Sequence, residues 1–171
     1  MRTQNEPIAE RYLNTLMTWH VQAPESGGLF SLGEVTLRPG DEPPQHIHAR
    51  EDETWYILEG CILFQRGAER IVRKAGQLIV LPRGVQHGFA VQSSMARILH
   101  FYTPGGIEQA FRSLSVALSD PPMLAESVAI EAVFQERGVT FVGPPLPVLL
   151  AKDTTATGSR DESSNLRMNL D

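Results

Sequence analysis

Histidines 46 and 48 stand one residue apart, and a carboxylate, Glu53, follows five positions after the second. Side chains of an extended segment alternate with period two, so both imidazoles leave the same face and reach one point in space. Glu53 sits at an odd interval from His48, and one unbroken strand would aim it at the opposite face. A bend within Ala49–Asp52, a charged and poorly apolar stretch, is therefore expected to return its carboxylate to the histidines. Two imidazoles and a carboxylate suit Fe, Zn, Ni, Cu or Mn, and a further ligand is then sought elsewhere in the chain. His87 is a candidate, near the start of a strand that follows the turn Pro82-Arg83-Gly84.

These two stretches resemble the paired signature motifs of the cupin superfamily. Gly40, His46, His48, Glu53 and Gly60 match every defining position of G-x5-H-x-H-x4-E-x6-G. Gly76, Pro82, Gly84 and His87 match G-x5-P-x-G-x2-H-x3-N, with Val91 in place of the final Asn, which is not a metal-binding position. The intervening Cys61–Ala75 resembles the short spacing of small microbial cupins. By this resemblance His46, His48, Glu53 and His87 are the ligands of one divalent transition metal (Fe, Ni, Co, Mn, Cu or Zn). Phe101–Gly106 and Gly138–Pro145 further resemble the C-terminal part of quercetin-dioxygenase-like single-domain cupins. That likeness implies a dioxygenase acting on a flavonol-like or other phenolic or enolic small molecule, with Glu53 also the catalytic base. A non-redox isomerase or cyclase, and a small-molecule binding or sensor cupin, use the same ligand set and stay open.

The elements that must position these residues are mostly short strands. Met17, Trp19 and Val21 alternate with Thr18, His20 and Gln22, which predicts a half-buried strand over Leu16–Gln22, with Trp19 in the core and His20 toward solvent. After a turn at Pro24–Gly28, a second strand over Leu29–Arg38 changes apolar parity around Gly33, which predicts a bulge there. Cys61–Arg66, Glu69–Arg73, Gln77–Leu81, His87–Val91 and Met95–Thr103 continue the series between Gly, Pro and Ser punctuation. That spacing predicts an all-β sandwich or barrel; the jelly-roll β-barrel is what the resemblance implies. Parity places Trp55 with Glu53, and Phe89 with His87, on the inner face as candidate substrate-pocket residues. His100, on the strand face shared with Tyr102, is a third. Glu51, Asp52 and Arg83 are expected to be turn residues, the two acids solvated.

Beyond Pro104 the texture changes. Ile107, Ala110, Phe111, Leu114, Ala117 and Leu118 recur at helical spacing, and Met123–Arg137 carries a second helical pattern ending near Gly138. The expected organisation is a barrel over residues 12–105, a helical extension packed on it over 106–150, and a disordered tail over 151–171. A chain of 171 residues with net charge −5 gives no support for nucleic-acid binding or adhesion to an anionic membrane. One cysteine, Cys61, permits no intramolecular disulfide, and no signal peptide or membrane span is apparent, so a cytoplasmic protein is expected. The expected partners are a small-molecule substrate and a second copy of the chain. In that homodimer Leu16–Gln22 would extend or cover the edge of a partner's sheet.

Overall fold

A computed structural model describes residues 7–121 and 126–151. Ile8–Tyr12 (β1) and Thr15–Val21 (β2) form a hairpin, and one helical turn, Ala23–Ser26 (α1), leads into Ser31–Leu37 (β3). Pro44–His48 (β4), Asp52–Glu59 (β5), Cys61–Arg66 (β6), Glu69–Lys74 (β7), Leu78–Leu81 (β8), His87–Val91 (β9) and Ala96–Thr103 (β10) follow. The C-terminal part adds Glu108–Ser113 (α2), Ser115–Val116 (β11), Ser127–Glu136 (α3) and Val139–Pro145 (β12), and residues 146–151 are helical. A seven-stranded sheet runs β11-β1-β2-β3-β10-β5-β8 and faces a five-stranded sheet, β12-β4-β9-β6-β7. All pairings are antiparallel, as expected of an all-β jelly roll.

Alternation in the strands builds the core between the sheets. Glu53, Trp55 and Ile57 of β5 point inward, as do Ile62 and Phe64 of β6 and Ile98 and His100 of β10. Trp19, Val35, Trp55, Ile57, Phe64 and Phe89 are all buried in one apolar cluster, each such side chain contributing about 1.5–3 kcal/mol by leaving water. The β5–β6 hairpin turns at Gly60, where φ is 87° and a Cβ would lie 2.8 Å from the Ala96 Cα. Only glycine fits that closure.

Several local expectations change. β3 shows no parity switch: Ser31, Gly33, Val35 and Leu37 all face inward, and Phe30 and Leu32 face outward despite being apolar. The register shift falls instead between Trp19 and Val21 of β2. β2 is paired on both sides, by β1 and β3, so it has no free edge with which to extend a partner's sheet. The strand Ile8–Tyr12, which occupies that edge, has no counterpart in the sequence reading. The first C-terminal helix is shorter than its apolar pattern, ending at Ser113 before β11 pairs with β1. The second runs from Ser127, and β12 then joins the five-stranded sheet beside β4, so the extension is partly sheet. The tail from residue 152 and the start of the second helical pattern (122–125) lie outside the described residues.

Candidate metal centre and its cavity

His46 and His48 come from β4, His87 from β9 in the same sheet, and Glu53 from β5 in the facing sheet. His46 and His87 are cross-strand partners. The bend at Ala49–Arg50 does more than restore parity, because it carries the chain from one sheet to the other. Inner faces of opposed sheets look at each other, so the odd interval from His48 to Glu53 is no obstacle. Two backbone bonds hold the bend, from Ala49 N–H to the Gly138 carbonyl (2.8 Å) and from Gly84 N–H to the His48 carbonyl (2.8 Å). Arg83 ties the following turn to the start of β5: its backbone N–H and guanidinium donate to Asp52 at 2.9, 3.2 and 2.8 Å. Those contacts hold the Asp52 carboxyl down at about 2.

One donor atom from each of His46, His48, Glu53 and His87 lies within 4.8 Å of the others. The imidazole centroids are 4.5 Å apart for His46 and His87, 5.1 Å for His46 and His48, and 5.4 Å for His48 and His87. Each ring is held at Nδ1: His46 by the Pro44 carbonyl (2.9 Å), His87 by the Val85 carbonyl (2.9 Å) and His48 by Glu51 Oε2 (3.4 Å). With acceptors on Nδ1, the hydrogen sits there and Nε2 offers its lone pair to the centre. His87 Nε2 is buried without a hydrogen-bond partner, although Glu53 Oε2 lies 3.3 Å away, close enough for charge pairing. Three converging imidazole nitrogens and a carboxylate fit a first-row divalent metal.

The charges agree with that use. Burial, with His87 and His48 adding to it, pushes His46 down to about 3, so the ring is neutral and able to ligate. Burial alone would raise the Glu53 carboxyl, but the close contact with His87 and the charges of the neighbouring imidazoles outweigh it and hold the group well below the ordinary carboxylate range. Burial likewise works against a charged His87, and Glu53 overrides it so that His87 sits above its ordinary value. Glu53 Oε1 accepts a short bond from the Trp55 indole (2.6 Å), which fixes the carboxylate plane.

Sequence reasoning missed Glu51. It is 4% exposed and bonds His48, where a solvated turn acid was expected. Its spacing, three residues after His48, was the available signal, but burial there depends on the bend packing against the residues around Gly138. Asp52 is part-exposed as expected, but it opens β5 and pairs with Arg83.

A cavity of about 310 Å³ opens on the cluster. Trp55, Phe89 and His100 all line it, together with Met17, Val35, Leu37, Leu81 and Tyr102 of the barrel. Tyr12, Phe111, Ile130, Phe134 and Phe141 close it from the N-terminal strand and the C-terminal extension. Their rings interlock edge to face, with Phe111–Phe134 at 5.0 Å and Tyr12–Phe111 at 5.0 Å. No signal in the sequence assigned these residues to the cavity, because their elements are distant in the chain and meet only on folding. Among the described residues that line it none is Lys or Arg, and Asp41 and Glu42 stand among them.

The model of the family described as Cupin domain matches residues 33–110, a span that contains all four clustered side chains. A cupin domain is thus supported, and the fold is a cupin jelly roll with small C-terminal helices. The chain is 24% identical over 151 residues to quercetin 2,3-dioxygenase of Bacillus subtilis, covering 84% of this chain and 45% of that protein. It is 29% identical over 116 residues to oxalate oxidase 1 of Hordeum vulgare, covering 60% of this chain and 57% of the relative. The chain therefore spans about half the length of the curated relatives it matches. A Thermotoga maritima structure described as a predicted oxalate decarboxylase superposes with a TM-score of 0.53 at 20% identity, over 61% of this chain and 98% of that one. The names of these relatives attach different substrates and reactions to similar sequences, so the reaction is argued from the cavity. No helix among the described residues is long and apolar enough to cross a membrane.

Proposed function

We propose that this protein is a metal-dependent dioxygenase acting on an uncharged phenolic or enolic small molecule of flavonol-like type. The observation that carries the reading is the cavity: mostly apolar, ringed by aromatic side chains, with no Lys or Arg among the described lining residues, and opening on three imidazoles and a carboxylate. Among the described residues that line the cavity, Asp41 and Glu42 add negative charge and no Lys or Arg stands beside the cluster to hold the second carboxylate of a dicarboxylate such as oxalate. An aromatic ring gains from burial against Trp55 and Phe89.

When bound, a first-row metal supplies Lewis acidity that lowers the pKa of a chelating hydroxyl, and a redox partner for dioxygen. The chain supplies the rest. Glu53 is oriented by Trp55, and its place in the cluster makes it the carboxylate that a departing hydroxyl proton can reach, although the imidazoles that hold it ionised also make it a weaker base. His46 and His48 stay fixed through Pro44 and Glu51 while substrate enters. The aromatic wall excludes water around the electron-rich enolate that results.

The test is oxygen uptake by metal-replete protein, followed together with flavonol absorbance. Coupled loss of both is expected for a flavonol or catechol. Glu53→Gln should lose turnover per bound metal, since it keeps the shape but has no carboxylate to take the proton. Turnover of an enol without oxygen uptake would move the assignment to an isomerase or cyclase, and saturable binding without turnover would move it to a binding module.

A further inference from the structure

Tyr12, the last residue of β1, stands on the inner face of its sheet. Its cross-strand partner is Thr15, which lines the cavity together with Met17 of the same strand. The ring is gripped at its sides, by Phe111 at 5.0 Å and Phe134 at 6.3 Å, both edge to face. It is only half-buried and forms part of the cavity wall, so some of its surface opens on that space. Burial alone raises the phenol above its ordinary pKa; no hydrogen bond among the described residues acts on the hydroxyl, which keeps its proton. Tyr102 is raised too, by burial first and then by Glu53, Glu51 and Tyr12, which places the Tyr12 hydroxyl on the side toward the cluster. Most other polar side chains of the wall are committed. His100 and Tyr102 bond each other (3.2 Å), Asp41 accepts from the Arg38 N–H (2.8 Å), and Glu42 accepts from Gly40 (2.7 Å) and Val91 (2.9 Å). Two rings stand in series between the cluster and Tyr12: Tyr102, 5.9 Å from His48, and Phe111, 6.2 Å from Tyr102. A ligand whose oxygens face the cluster therefore presents its far ring to Tyr12.

Resting on the phenolic reading above, we propose that Tyr12 determines specificity, its hydroxyl bonding an oxygen on the substrate ring remote from the pair that would face the cluster. A phenol both donates and accepts, so it serves a hydroxyl or a carbonyl oxygen there. The preferred substrates are then polycyclic phenols with at least one oxygen beyond the chelating pair, and a single-ring catechol leaves Tyr12 unpaired. Apolar pockets discriminate weakly, whereas a polar group left unpaired in a closed site penalises the analogue that lacks its partner.

The experiment is anaerobic binding to the metal-loaded protein of 3-hydroxyflavone, which carries the chelating pair alone, and of derivatives bearing one further hydroxyl on either outer ring. Binding is read by tryptophan fluorescence. At least one derivative should bind wild type about three- to ten-fold more tightly than the parent, the worth of one net hydrogen bond. Tyr12→Phe deletes one oxygen and keeps the contacts with Phe111 and Phe134, and melting curves check that it is folded. It should abolish the gain while the parent's affinity holds, so that protein hydroxyl and ligand hydroxyl are coupled in a double-mutant cycle. Thr15→Val, which removes the neighbouring hydroxyl, should keep the gain. A gain that survives Tyr12→Phe, or one lost in Thr15→Val alone, would overturn the proposal. Equal weakening of parent and derivative in Tyr12→Phe would reduce the residue to packing and overturn it too. Binding with oxygen uptake but no gain in wild type would leave the dioxygenase standing and remove Tyr12 from specificity. A gain lost in Tyr12→Phe, with no oxygen uptake once air is admitted, would refute the dioxygenase and leave Tyr12 its role. Binding of no panel member would overturn both.

Discussion

Glu51 shows how a side chain that need not touch a metal can set its affinity. Its carboxylate bonds His48 Nδ1, which orients the ring and strengthens Nε2 as a donor. Glu51→Gln is expected to weaken metal binding about ten-fold while one metal per chain still binds at saturation. Competition against a chelator measures this, and unchanged competition would remove Glu51 from the support of the site. His46→Ala and His87→Ala should act more severely, dropping metal content well below one per chain while circular dichroism still reports the barrel. Full loading of both variants would show that the metal binds elsewhere. At this scale His46 and His48 were legible from strand parity, whereas Glu53, which parity alone aimed at the opposite face, and His87 were legible as a set with them only through the match to the cupin motifs. Glu51 was not, since nothing within Ala49–Asp52 shows that β12 and its preceding turn will bury the bend.

The strands were legible for the same reason as His46 and His48: alternation within β5, β6 and β10 is written in adjacent residues. β3 misled because Phe30 and Leu32 are apolar but face outward, while the inward position at Gly33 is empty to admit His100. Helical periodicity after Pro104 overran the true α2, and pairing to β1 claimed Ser115–Val116. A two-residue strand has no period to read. The extension matters because Phe134 of α3 is buried against Phe111, Tyr12 and Phe141 at 5.0, 6.3 and 6.1 Å. Phe134→Ala removes that ring from the wall of the cavity and should cost about 3 kcal/mol or more, measured by urea denaturation. A cost under about 1 kcal/mol would mean that the site collapses around the smaller side chain, and the extension would then be a looser cover than its ring geometry indicates.

At the scale of the whole molecule, the cluster is a joint between the sheets. Three of its side chains stand on the five-stranded sheet and Glu53 on the seven-stranded one, so a metal held by all four would cross-link the two faces. A ligand that binds the native state alone stabilises it by mass action, by about 2.7 kcal/mol at a hundred times Kd. For a domain of this size that corresponds to a Tm higher by about 5–10 °C. Without metal, the Glu53–His87 charge pair at 3.3 Å recovers part of the loss, which makes the lower end of that range the better expectation. Calorimetry before chelation, after chelation and after metal is restored should show the Tm fall and return. In Glu53→Gln the swing should shrink, because the link to the seven-stranded sheet is weakened while the three imidazoles remain. A Tm indifferent to chelation in wild type would mean that metal does not join the sheets. A swing in Glu53→Gln as large as in wild type would place the stabilisation in the histidines of the five-stranded sheet alone.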